Sequence, residues 1–256
     1  MFTPEERARL RSDLLERAAG DHRISGAAIT GSAAAEREDL WSDIDLAFGI
    51  GDAGELSNVL ADWTALMYEQ HLAVHHLDVL SGAWIYRVFL LPSTLQVDLA
   101  FVPAAEFRPL APTFRLVSGK AGALKPAPPP QTANLIGLGW LYALHARSSI
   151  ARRKFWQAEY MISGMRDHAL ALACVARGLP AAHSRGTDQL PREVTELFEK
   201  SFVRQLDYAE LSRAFGAVTD GLLIVIRSVD AALAERLQEA LRHLLIGVDA
   251  TRGDLG

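Results

Sequence analysis

The chain of 256 residues contains one cysteine, Cys174, so it can form no internal disulfide, and its metal chemistry cannot rest on thiolates. Cys174 stands in the apolar run Leu170–Ala176, where a small core residue is the expected role. Long hydrophobic runs are also missing. Ala169–Ala176 and Gly221–Ile226 are the longest, far short of the roughly 20 apolar residues a membrane helix needs. The start, Met-Phe-Thr-Pro-Glu-Glu-Arg-Ala-Arg-Leu, is charged from Glu5 and has no apolar leader, so a cytoplasmic protein without membrane contact is expected. Lysine is scarce, with 4 against 22 arginines, and the net charge is −5, so no basic footprint for nucleic acid is evident. Half the residues are apolar, enough for one large or two modest cores.

What the chain does have is a spaced set of acids. Gly31 and Ser32 lead into the run Ala-Ala-Ala-Glu-Arg-Glu-Asp-Leu-Trp-Ser, followed by Asp43-Ile-Asp45-Leu. A third acid, Asp98, stands in the apolar stretch Leu95-Gln-Val-Asp-Leu-Ala-Phe-Val102. Side chains alternate along a strand, so Asp43 and Asp45 share one face while Ile44 and Leu46 enter a core. Three carboxylates on neighbouring strands suit Mg²⁺, which takes oxygen ligands and usually keeps substrate phosphates in its shell. Two such ions can hold the attacking and leaving oxygens of an in-line displacement. Gly31 permits a tight turn beside a phosphate, and the N–H groups after it, with the Ser32 hydroxyl, can donate to phosphate oxygens at the start of a helix expected over about Ala33–Asp39.

Taken together, Gly31, Ser32, Asp43, Asp45 and Asp98 resemble the nucleotidyltransferase superfamily of DNA polymerase beta-like fold, whose motif is a glycine-serine turn, a variable helix, an Asp-x-Asp strand and a later single Asp. The resemblance covers roughly the first 105 residues. The second half is similar in character to the aminoglycoside and lincosamide nucleotidyltransferases, though no short motif anchors it. The resemblance implies an enzyme that moves a nucleoside monophosphate from ATP or another NTP to a hydroxyl of a small polar acceptor, with pyrophosphate as leaving group. Asp43, Asp45 and Asp98 would hold two Mg²⁺ ions, and Gly31 and Ser32 would hold the triphosphate. Antibiotic resistance follows only from this resemblance. Monomer and homodimer are both open.

The order of elements predicts an α+β chain: a mixed β-sheet with helices, then an α-helical bundle. The expected division is a catalytic domain over 1–117, a Pro/Gly-rich linker over 118–131 containing Pro126-Ala-Pro-Pro-Pro130, and a helical acceptor-binding domain over 132–256. Thr3–Ala19 reads as a capped helix with Thr3 as N-cap, Pro4 at the first turn and Glu6 closing a capping box. Strands are expected over Ile24–Thr30, Ile44–Ile50, Ala73–Leu80, Ala83–Leu91 and Leu95–Val102, with a helix over about Glu55–Glu69. Helical periodicity continues over about Thr132–Arg147, Arg153–Arg177, Arg192–Arg204 and Tyr208–Gly247. Charge divides unevenly: residues 1–117 carry 17 acids and 9 bases, residues 118–256 carry 14 and 17. An acidic catalytic half favours a cationic acceptor over a nucleic acid.

In the helical half, Trp156, Glu159, Tyr160, Ser163, Arg166 and Asp167 recur on one helix face. The resemblance makes Glu159 a candidate base for the acceptor hydroxyl, with pairing to Arg166 or solvent as the alternative. Asp98 is the rival base, expected to act through a bound cation rather than an unusual pKa. His75 and His76 fall on opposite faces of a strand, and Lys120 and Lys125 are expected to be solvated. Arg177 and His183 are separated by Gly178 and Pro180, which excludes a shared helical motif. Two other activities remain open: nucleotidylation of tRNA or a protein, as in toxin–antitoxin pairs, and a silent nucleotide-binding scaffold.

Overall fold

The computed structural model describes residues 2–126 and 128–249, so Met1, Ala127 and residues 250–256 of the expected domain spans lie outside the described residues. The chain divides into two compact units, Met1–Ala127 and Pro128–Gly256. Helix α1 (Pro4–Gly20) starts from the expected capping box: Thr3 Oγ1 accepts from the Glu6 N–H at 3.2 Å, and Glu6 accepts from the Thr3 N–H at 2.7 Å. Strands β1 (Ile24–Thr30) and β2 (Ile44–Ile50) have the bounds their alternation predicts. The one-turn helix α2 (Gly31–Ala34) lies between them, and α3 (Leu56–Glu69) follows β2. Strands β3 (His75–Ser81), β4 (Trp84–Leu90), β5 (Gln96–Pro103) and β6 (Phe114–Gly119) complete a six-stranded sheet of order β3-β4-β5-β2-β1-β6.

Among the described residues, only β2 and β5 run parallel, and the other pairings are antiparallel. A parallel pair needs a crossover, and α3 with the β3–β4 hairpin supplies the chain between β2 and β5. One face of the sheet carries Ile44, Leu46, Phe48, Ile50, Val97, Leu99 and Phe101, packed with Leu14 and Ala18 of α1 and Val59, Trp63 and Met67 of α3. The Phe48 ring lies 4.8 Å from Trp63 and 5.5 Å from Phe101, centroid to centroid. Each such aromatic contributes about 1.5–3 kcal/mol through burial. The opposite face is built from small residues, Ala28, Ala47 and Ala100, covered towards one end by Phe107 and Trp84. Phe107 lies so close over Gly26 and Gly49 that a Cβ at either would come within 2.7 or 2.8 Å of its ring.

Three departures from the sequence pattern have local causes. Strand β6 is absent from it because Phe114–Gly119 is a short, mostly exposed edge that pairs only with β1, and its apolar residues Phe114, Leu116 and Val117 follow no regular alternation. Ser118 and Gly119, expected to open the linker, belong to this edge strand. The helix expected over Ala33–Asp39 ends after one turn. Glu36 adopts φ 54°, the Arg37 N–H reaches the Ser32 carbonyl at 3.0 Å and the Glu36 N–H reaches Ala33 at 3.4 Å. That is a Schellman closure with glutamate in the left-handed position usually given to glycine.

The second unit contains α4 (Thr132–Ala151), α5 (Phe155–Val175), α6 (Arg192–Glu199), α7 (Tyr208–Val229) and α8 (Ala231–Asp249) around an aliphatic core that includes buried Cys174. The single periodic stretch 208–247 is two helices because Asp230 leaves helical geometry at φ −146°, ψ 93° and caps α8, accepting from the Leu233 N–H at 2.9 Å. Among the described residues, no helix is long and apolar enough to cross a membrane.

Candidate active site

Residue alternation on β2 and the in-register pairing of β2 with β5 create the site. Asp45 sits directly beside Asp98, as Leu46 sits beside Leu99 on the opposite, apolar face. Asp43 precedes the first residue of β2, and its Oδ2 accepts from Gln96 Nε2 at 3.1 Å. Four polar side chains are therefore linked in two pairs: Asp43 with Gln96 by a hydrogen bond, and Asp45 with Asp98 by the ladder.

Gly31 lies at the end of β1 with φ +64°, a conformation that side-chain-bearing residues rarely adopt. A Cβ there would meet Asp45 Oδ2 at 1.9 Å. Only glycine fits, and the turn and the acidic strand are thus in direct contact. Ser32 follows with a buried Oγ that has no hydrogen-bond partner. Such an atom costs free energy unless something donates to it or accepts from it.

The loop between turn and acids is held from α1. Arg7, 4 % exposed, donates to the carbonyls of Asp39 and Ser42 at 2.7 and 2.9 Å. Its Nε stands 3.1 Å from Glu38 as a charge contact without hydrogen-bond geometry, and Arg11 binds the same carboxylate at 2.6 Å. Within the loop, Asp39 Oδ1 accepts from the Trp41 N–H at 2.9 Å, which, with the Ser42 hydroxyl, keeps the Asp39 carboxyl below the usual carboxylate range.

Asp98 stands across the ladder from Asp45 on β5. Burial, reinforced by the negative charge of Asp43, pushes its pKa up to about 6, and its buried Oδ1 has no hydrogen-bond partner. Tyr86, stacked on Trp84 at 5.9 Å, is raised by its own burial and then by the Asp98 charge. Tyr86 and Gln96 were not among the sequence candidates. Gln96 had a readable signal, since it stands two residues before Asp98 and so shares its strand face; Tyr86 is brought there only by the β4–β5 register, opposite Ala100.

Asp43, Asp45 and Asp98 offer hard oxygen donors, and the unpartnered Asp98 oxygen beside a backbone turn that excludes Cβ fits a cation bound with phosphate oxygens. Among the described residues, no three His, Cys, Asp or Glu side chains stand together closely enough to form a ready metal cage. Asp43 accepts from Gln96 through one carboxylate oxygen, and Asp45 lies against Gly31.

Glu159 belongs to the second unit, half-buried on α5. It is not paired directly with Arg166. Ser163 Oγ donates to Glu159 Oε1 at 2.6 Å and accepts from Arg166 at 2.9 Å, while Arg166 also reaches the Ser201 carbonyl and lies 4.4 Å over the Phe202 ring. Trp156 and Tyr160 flank it, 79 % and 61 % exposed. Of the remaining candidates, His76 meets the Tyr68 hydroxyl at 3.0 Å while His75, Lys120 and Lys125 are exposed.

No protein-family model and no curated protein matches the chain. Among solved structures, an aminoglycoside 6-adenyltransferase from Bacillus subtilis is similar at a TM-score of 0.42 and 12% identity, over 95% of this chain and 99% of that one. A likeness this distant assigns neither family nor residue roles.

Proposed function

We propose that this protein is a nucleotidyltransferase that moves a nucleoside monophosphate from ATP or another NTP to a hydroxyl of a small polar acceptor. The observation that carries the reading is the contact between turn and acids: Gly31 is forced to be glycine by Asp45, and Asp45 lies in register with Asp98. A triphosphate turn and an acidic phosphoryl-transfer site need that proximity, because catalysis of this class rests on positioning and electrostatics. Asp43, Asp45 and Asp98 would hold Mg²⁺, which, when bound, supplies positive charge to the phosphate oxygens and offsets the repulsion among the acids.

The chain's own groups divide the remaining work. The N–H groups after Gly31 and the unpartnered Ser32 hydroxyl bind phosphate oxygens by hydrogen bonds. They do so without a helix dipole of any size, since α2 is a single turn. Asp98 is the first candidate to accept the proton of the attacking hydroxyl. Glu159 is the second candidate for that proton, its carboxylate oriented by Ser163.

The test is pyrophosphate release with Mg²⁺ and each of the four NTPs across a panel of aminoglycosides and lincosamides, with product masses recorded. The expected result is a mass gain of one nucleotide on a panel member that vanishes in Asp43→Asn and Asp45→Asn, with folding retained. Wild-type turnover in either variant refutes the site. Label transferred to tRNA or protein instead would move the acceptor to a macromolecule, and absence of NTP binding would refute the reading altogether.

A further inference from the structure

Gln96 is the fourth corner of the acidic square. The rung Asp45–Asp98 is fixed by the parallel ladder, whereas Asp43 lies one residue outside β2 and gains no strand pairing of its own. Its carboxylate is held by the Gln96 amide, at 3.1 Å. On the other side Gln96 faces Leu90, its partner on β4, which is apolar and offers the amide nothing to bind. Gln96 is exposed, and the side chain its amide binds is Asp43. An amide donor at this corner occupies one carboxylate oxygen and leaves the other for a ligand. It also adds no charge to a face where Asp43 and Asp98 already repel.

We propose that Gln96 is a positioning residue for cation binding, fixing the Asp43 carboxylate through its hydrogen bond so that Asp43 presents its second oxygen on the face shared with Asp45 and Asp98. The inference rests on the nucleotidyl-transfer reading of this site. Hydrogen bonds to ligating carboxylates orient them and set their basicity, and their loss lowers metal affinity by about 10–100-fold.

Mn²⁺ binding to the full chain, followed by electron paramagnetic resonance, tests it without turnover. The proteins are the wild type, Gln96→Leu, Asp43→Asn and the double variant, each checked for folding by circular dichroism. Gln96→Leu keeps the side chain's bulk but removes the donor. The expected result is Mn²⁺ binding weakened about tenfold in Gln96→Leu and no further loss when Gln96→Leu is added to Asp43→Asn, the signature of coupling through one carboxylate. Binding within twofold of wild type in a folded Gln96→Leu protein overturns the proposal while leaving the wider reading intact, as does an equal loss in the Asp43→Asn background. Absence of Mn²⁺ binding by the wild type, with and without a non-hydrolysable NTP, overturns both.

Discussion

Replacing Asp98 with asparagine should stabilise the first unit at neutral and alkaline pH and do so progressively less in acid. The unfolded chain gives this carboxyl a pKa near 3.8, and the folded chain raises it to about 6 through burial and the Asp43 charge. Below about pH 3 both states hold the proton, and the group has no effect on stability. Between the two values the folded state keeps a proton the unfolded state has lost, so stability falls as the pH rises; above about pH 6 the penalty is constant. Each tenfold change in proton affinity is worth about 1.4 kcal/mol, so the full penalty is about 3 kcal/mol. Asparagine never ionises. Any cost of burying its amide is the same at every pH, so the pH dependence isolates the charge. The assay is urea-dependent hydrogen exchange of peptides covering 44–50 and 96–103, in EDTA, at about pH 4 and about pH 8. The stability difference between Asp98→Asn and wild type should grow by about 2.5 kcal/mol in favour of the variant over that interval. An equal difference at both pH values would refute the raised pKa and the burial that produces it.

Gly31→Ala should cost about 2–4 kcal/mol in thermal unfolding and remove nucleotide transfer, since it adds a left-handed alanine and a Cβ against Asp45; a stable, active variant would show that the turn and Asp45 are not in contact. Arg7→Met should destabilise the first unit by about 2–4 kcal/mol. Hydrogen exchange over residues 35–43 should rise with it, because two carbonyls and Glu38 lose their buried partner. Unchanged exchange there would mean that α1 does not hold the loop. Glu159→Gln keeps an oxygen for Ser163 to donate to, so stability should stay within about 0.5 kcal/mol. If Glu159 is the base, turnover falls by about 10²–10⁴, and a change of only a fewfold assigns the proton to Asp98.

Much of the fold was readable because it depends on neighbours in the chain. The capping box at Thr3 and Glu6 is a local hydrogen-bond exchange, and the alternation of Asp43, Ile44, Asp45 and Leu46 assigns faces as soon as a strand forms. Strand β6 was not readable, since it is a short exposed edge whose apolar residues follow no regular alternation. The early end of α2 was hidden for a different reason. Alanine and glutamate favour helix, and the closure at Glu36 is accompanied by Glu38 being drawn to Arg7 and Arg11, more than two dozen residues earlier.

The sequence by itself determined which residues share a strand face and where the acids fall, because side-chain direction follows from a period of two along a single strand. Only the tertiary structure decided that Asp45 stands beside Asp98, that Gly31 touches Asp45 and that Gln96 rather than another side chain holds Asp43. Those facts depend on register between strands distant in sequence, which local spacing does not specify. The same is true of the raised pKa of Asp98: a carboxyl's proton affinity is set by what packs around it, and burial beside Asp43 exists only once β2 and β5 have paired.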